Sequence, residues 1–166
     1  MIQNINIDNV EVKKSYYESG ALFAETPYVN GNIHGIEKWY YESGALEQES
    51  PYVNGERHGI KKFYYESGAL RWETPFVKGK RHGIEKRYYE TGVLEWENPY
   101  VNGERHGIVK HYCKSGVLYR ETSYVYGKIH GIDKVYNKDN ANIENLTLYE
   151  EGQRVKYKEV NYDTEY

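Results

Sequence analysis

The sequence predicts an all-β protein, an elongated single-layer antiparallel β-meander built from five 24-residue hairpin repeats with atypical end caps. Three observations lead there. First, glycines recur every 24 residues in three series: Gly20, Gly44, Gly68, Gly92 and Gly116; Gly31, Gly55, Gly79, Gly103 and Gly127; Gly35, Gly59, Gly83, Gly107 and Gly131. A fixed period of that size marks a repeat array. Second, a copy such as GIEKWYYESGALEQESPYVNGERH holds two β-rich runs, separated by Ser-Gly and followed by Asn-Gly, both hairpin signals. Third, the array carries no 3.6-residue periodicity and no helix start or stop signals.

Composition agrees with a thin structure. The 166 residues include twenty Tyr and three Trp but three Phe and one Met. Tyr buries its ring and keeps its hydroxyl wet, which suits a layer half-exposed on both faces. A net charge of −3, spread evenly, argues against a nucleic-acid binder. The one cysteine, Cys113, cannot form an internal disulfide, and no signal-like or 18-residue apolar run is present, so a soluble cytoplasmic protein is expected.

Taken in order, residues 1–11 form an N-terminal cap strand, with INIDNVEV at 5–12 alternating as a strand should. Residues 12–135 hold the five repeats. Residues 136–166 are a degenerate last repeat and a polar C-terminal tail, LYEEGQR at 148–154 imitating YVNGER. Within a hairpin, a two-residue type I′ turn at Ser43 and Gly44 sets Tyr41 against Leu46, Tyr40 against Glu47, Trp39 against Gln48 and Lys38 against Glu49. The last pair recurs in every copy: Lys14 with Glu25, Lys62 with Glu73, Lys86 with Glu97, Lys110 with Glu121. At roughly 0.2–1 kcal/mol each, such pairs chiefly fix register. Pro27, Pro51, Pro75 and Pro99 fall inside the second strand, and a kink is expected at each.

The copies, for example YYESGALEQESPYVNGERHG at 40–59, resemble the MORN repeat and specifically its bacterial variant, over about three quarters of the chain. The resemblance implies an elongated single-layer sheet of successive hairpins. It also implies, from bacterial relatives, an antitoxin role in a toxin–antitoxin pair, and, from eukaryotic MORN proteins, scaffolding at membranes with phospholipid contact. The glycine usual two places before the second-strand Tyr is replaced here by Thr26, Ser50, Thr74, Asn98 or Thr122.

His34, His58, His82, His106 and His130 share one position. Equivalent residues two strands apart stand about 9–10 Å from one another, too far for zinc–nitrogen distances of about 2.0–2.1 Å, so the histidines read as part of a joint and no metal or cofactor is expected. His111 and Cys113 are the nearest approach to a thiolate and its base, yet Cys113 occupies a tyrosine slot and no enzyme is expected. What varies between copies is more informative. The pair beside Lys and Glu runs through Ser15 and Ala24, Trp39 and Gln48, Phe63 and Trp72, Arg87 and Trp96, His111 and Arg120. Trp39, Phe63, Trp72, Arg87, Trp96, His111 and Arg120 are residue types that anchor interfaces, and they form the candidate partner-binding stripe. The competing reading has the aromatics covering the sheet's own core, with Arg87 stacked on Trp96. Arg57, Lys80, Arg81, Arg105 and Lys128 are expected along one turn edge, where they would face an acidic partner or an anionic membrane. The expected function is a non-catalytic protein-binding module that neutralises a toxin or effector by occlusion, as an antitoxin, immunity protein or other inhibitor would. The alternative is a scaffold at a membrane surface or in the cytosol, and open sheet edges permit self-association.

Overall fold

The computed structural model describes residues 10–155; the expected cap strand over residues 1–9 and the polar tail over 156–166 lie outside that range. Its 17 strands belong to one antiparallel sheet, and no helix occurs among the described residues, hence none long and apolar enough to cross a membrane. Strands pair with their neighbours in chain order. Val10–Tyr16 pairs with Leu22–Val29, Gly35–Tyr40 with Leu46–Val53, Gly59–Tyr64 with Leu70–Val77, and Gly83–Tyr88 with Leu94–Val101. Gly107–Tyr112 with Leu118–Val125 and Lys128–Tyr136 with Ile143–Glu150 continue the series.

Two different turns alternate along the chain. Asn54 and Gly55 have φ of 50° and 85° between the paired residues Val53 and Glu56, which is the expected type I′ turn. The Ser-Gly turn differs from expectation. Gly44 N–H bonds Tyr41 C=O at 2.9 Å, Tyr41 N–H bonds Ala45 C=O at 2.8 Å, and only Gly44 of the three loop residues is left-handed, with φ 87°. This is a type I turn closed by a glycine bulge, the usual three-residue hairpin loop. Tyr40 therefore faces Leu46 rather than Glu47, Tyr41 lies in the loop rather than against Leu46, and Glu47 is the bulged residue. Beyond the bulge, Trp39 faces Gln48 and Lys38 faces Glu49, as the sequence indicated.

The prolines leave their own strands intact, and the disruption falls on the neighbour. Between the pairs Tyr52–Arg57 and Glu49–Lys62, the proline strand has Ser50 and Pro51, whereas the facing chain has His58, Gly59, Ile60 and Lys61. The N–H and C=O of one strand residue point to the same side. Pro51 C=O accepts from His58 N–H at 3.0 Å, so the amide that Pro51 lacks would point at the same neighbour, and that neighbour bulges away. Gly59 returns it to the sheet at φ 112°, where a Cβ would stand 3.0 Å from Pro51 Cγ. Gly83 over Pro75 and Gly107 over Pro99 repeat both values closely, and Gly131 stands over Ser123.

Strand alternation divides the sheet into an outer and an inner face. On the outer face Lys38, Lys62, Lys86 and Lys110 each lie between two Glu; Lys38, for example, opposes Glu49 within its hairpin and Glu25 across the joint. The closest ammonium–carboxylate approaches are Lys14–Glu25 at 2.9 Å, Lys134–Glu121 at 3.7 Å and Lys86–Glu73 at 3.9 Å. From the second copy on, the Tyr that ends the first strand, which is the first of a Tyr-Tyr pair at 40, 64 and 88, donates to the Glu of the preceding copy: Tyr40 to Glu25, Tyr64 to Glu49, Tyr88 to Glu73, Tyr112 to Glu97 and Tyr136 to Glu121, at 2.7–3.2 Å. The second Tyr donates forward, Tyr17 to the Tyr40 carbonyl, Tyr41 to Tyr64, Tyr65 to Tyr88 and Tyr89 to Tyr112. The repeated Tyr-Tyr is thus the cement between copies.

The inner face is the covered one, and what it covers is polar. Glu37, Gln48, Ser50, Thr74, Glu85, Asn98, Thr122 and Asp133 are all buried, against three buried hydrophobic residues among those described, Ala24, Tyr100 and Val109. Among the described residues there is one sheet and no second layer, so this cover comes from the neighbouring side chains of the same face. Hydroxyl–carboxylate bonds tie the joints in alternation. Thr26–Glu37, Thr74–Glu85 and Thr122–Asp133 bond at 3.2, 2.9 and 2.6 Å, while the joints between them hold Ser50 with Lys61 and Asn98 with Val109 in the same places.

Two outcomes are expected. Gly83→Ala incurs both the left-handed φ and the contact with Pro75, whereas Gly92→Ala, with nothing within 4 Å, incurs only the φ; the first is expected to lose about 2 kcal/mol in urea denaturation and the second about 1. Burial, then the bond to a carboxylate, pushes the phenols of Tyr64, Tyr88 and Tyr112 up to about 12 from 10.0. A raised folded value gives stability that is complete below pH 10 and is lost as pH rises toward 12. Lys61, pushed down to about 8 by burial, acts in the opposite sense between pH 8 and 10.5. The melting temperature is therefore expected to fall above about pH 10, together with late phenolate absorbance, and the triple variant Tyr64→Phe, Tyr88→Phe, Tyr112→Phe is expected to lose that late phase.

Candidate functional site

The variable stripe lies on the inner face as one row across the strands. Within hairpins Trp39 opposes Gln48, Phe63 opposes Trp72, Arg87 opposes Trp96 and His111 opposes Arg120. Across joints Gln48 opposes Phe63, Trp72 opposes Arg87 and Trp96 opposes His111. Cross-strand contact is closest between such directly opposed residues. The row is consequently continuous, and its aromatics touch: Phe63 and Trp72 have ring centres 5.8 Å apart, and Trp72 and Trp96 meet edge to face at 5.7 Å and 74°.

Arg87 lies between the two indoles in the row, yet it does not stack on Trp96. Its Nε is 2.9 Å from Glu95 Oε2, the residue bulged by the adjacent turn. The two atoms are close enough for an ion pair, but the N–H is not aligned to make the hydrogen bond. Drawn toward that edge, the guanidinium leaves the indoles free to meet each other. Trp39, Phe63, Trp72 and Trp96 are each half-buried: they cover the polar spine and keep part of their surface outward. The indole N–H of Trp72 is buried without a partner.

The expected basic edge divides between the two faces. Val53 opposes Glu56 and Tyr52 opposes Arg57 across the Asn-Gly turn, so the first residue after each turn faces out and the second faces in. Lys80 and Lys128 face out, whereas Arg57, Arg81 and Arg105 turn onto the inner face. There Arg57 lies over Tyr52 and Phe76 at 5.6 and 5.7 Å from the ring centres, Arg81 over Tyr100 at 4.1 Å, and Arg105 over Tyr124 at 5.4 Å. The ring ladder that receives them comes from the tyrosines beyond each proline, which sequence periodicity left unassigned to a face.

On the inner face a depression of about 410 Å³ is lined by Trp72, Trp96, Arg81, Arg105 and Arg120, with Arg81 and Arg105 beside Tyr100. Arg120 is held by both carboxylate oxygens of Asp133, at 3.0 and 3.2 Å. Burial and the positive charges of Arg120 and Arg105 hold the His111 imidazole below its ordinary value, so it is neutral at pH 7. The five repeated histidines stand apart from this site at the joints: His34, His58, His82 and His106 each give their backbone N–H to the residue at the proline position, and Asn54 N–H approaches His34 Nδ1 at 3.5 Å.

The chain matches the family described as MORN repeat variant over residues 12–30, 33–54, 57–78 and 81–102, together just over half of its length. No match is found among curated proteins. Residues 105–126 repeat the same hairpin register, turns and bulge outside the matched segments.

Cys113 opens the turn that Tyr41, Tyr65 and Tyr89 open elsewhere, with its N–H on Val117 C=O at 2.9 Å. It therefore lies in the loop and not on the strand of His111, and no hydrogen bond joins the two among the described residues. Its position lacks the phenol that would reach the Tyr136 carbonyl. Cys113→Tyr is expected to add that bond and about 1 kcal/mol of stability in thermal or urea denaturation; a variant no more stable than the parent would contradict the forward Tyr ladder.

Proposed function

Because the chain belongs to the MORN repeat variant family, a repeat family that is generally non-enzymatic, we propose that it is a protein-binding module that takes its partner along the inner face and neutralises it by occlusion, as an antitoxin, immunity protein or other protein inhibitor does. One observation carries this reading: the Tyr, Glu, Lys and Gly that recur from copy to copy are consumed in holding the array together, while the aromatic and arginine residues that differ at the position beside Lys and Glu align in a single row. The recurring Tyr, Glu, Lys and Gly make the ladders and joints. The changing row presents Trp72 edge-on to Trp96, with arginines beside them, which is the residue content of an interface hot spot. The membrane-scaffold alternative draws less support, since three of its five basic residues are turned onto aromatic rings of the inner face.

The double variant Trp72→Ala, Trp96→Ala is expected to keep its β circular dichroism and to lose affinity for the captured partner by roughly 30-fold or more, the loss expected for a hot spot of about 2 kcal/mol. The partner's own activity is expected to fall as intact protein is added in equimolar amount. Unchanged capture by a folded variant would remove the inner face from the reading, and a bound partner that stays active would remove occlusion.

A further inference from the structure

We propose that the depression on the inner face is a receptor for one acidic side chain, an aspartate or glutamate carried by an extended segment of the bound partner, with Arg105 supplying the recognising charge. The inference rests on the protein-binding reading and gives it a chemical address. Three guanidinium groups border the depression, and two are already matched. Arg81 donates to Tyr100 Oη at 2.8 Å and lies 3.9 Å from Glu85, and Arg120 is held by Asp133. Arg105 has no carboxylate within 4.0 Å among the described residues, and its neighbours are the rings and hydroxyls of Tyr100 and Tyr124. One positive charge on this wall is therefore uncompensated, and because Arg105 is itself exposed its guanidinium is open to an incoming carboxylate.

The rest of the lining favours a carboxylate carried on a peptide over a free anion: Trp72, Trp96, Tyr100 and Tyr124 give an extended segment ring surface to lie against beside the guanidinium. A bare anion supplies acceptors alone. Phosphate, with its second charge, would also stand against Glu85 and Asp133, whose carboxylates border the same cluster.

The test uses the whole protein and its tryptophan fluorescence, since Trp72 and Trp96 border the depression. Capped tetraglutamate is expected to give a saturable change with a dissociation constant of about 1 mM or tighter. Arg105→Gln is expected to weaken it about tenfold, the loss of one charge-assisted bond, while Lys128→Gln on the outer face leaves it unchanged and capped tetraglutamine gives no response. A response absent with tetraglutamate, equal in Arg105→Gln, or stronger with inorganic phosphate, oligothymidylate or phosphatidylserine vesicles would overturn the proposal. Failure of tetraglutamate with partner capture still dependent on Trp72 and Trp96 removes the acid receptor alone. Binding of tetraglutamate by a protein that leaves its partner active removes occlusion and keeps the receptor.

Discussion

Pro51 has no amide hydrogen to offer the next strand, and Gly59 has no Cβ to hold that strand away from the proline ring. Together these two absences fix how one hairpin meets the next. The neighbouring chain leaves the ladder at His58, touches the proline carbonyl once, and returns on a backbone conformation that side chains rarely adopt. Everything between copies is built on that step. It sets the offset at which a phenol reaches a glutamate one copy back and a carbonyl one copy forward. Where Ser123 replaces proline, the glycine remains, with its would-be Cβ 3.3 Å from the serine, so the backbone path outlasts the ring that explains it elsewhere.

With three buried hydrophobic residues among those described, residues 10–155 are not held by an ordinary core. Their cohesion comes from side chains shared between neighbours: phenol to carboxylate, hydroxyl to carboxylate, ammonium between two carboxylates. Each such bond contributes about 1 kcal/mol or less, and exposed ion pairs the least, so stability is distributed along the array rather than concentrated in any unit. That distribution leaves one row free to change. Trp72, Arg87, Trp96 and Arg120 differ from their equivalents in other copies without disturbing the ladders, because the outer face and the joints carry the repeat.

Much of this was legible in the sequence. The period, the Asn-Gly turns, the Lys–Glu register and the alignment of the variable pairs follow from spacing and strand alternation alone. The Ser-Gly turn did not, because that dipeptide suits either a two-residue loop or a three-residue loop with the glycine left-handed, and tertiary pairing chooses. The proline effect was placed on the wrong strand for a simple reason: a missing donor disturbs the partner that would have accepted it. Counting from Asn54 places Arg57 on the inner face, so the division of the basic residues was available from alternation once the turn type was known. The acid depression was less visible, since it depends on which guanidinium remains after Glu85 and Asp133 have taken the others. The clue lay in Thr26, Ser50, Thr74, Asn98 and Thr122, polar side chains standing where the repeat usually keeps a glycine, and these line the buried spine.

The joints come in two kinds that alternate, threonine with an acid and then Ser50 with Lys61 or Asn98 with Val109. Adjacent copies are therefore not interchangeable, although they look alike letter by letter. A strand that slipped by one copy during folding would set Thr26 against Lys61, or Asp133 against Asn98 without its hydroxyl, whereas a slip by two copies would find a matching joint. Alternation thus removes the nearest and most frequent misalignments of a chain whose copies are otherwise close to identical. The same rule bears on how such a gene lengthens: recombination that inserts or deletes a single copy breaks the order of the joints, and exchange of copies in pairs preserves it.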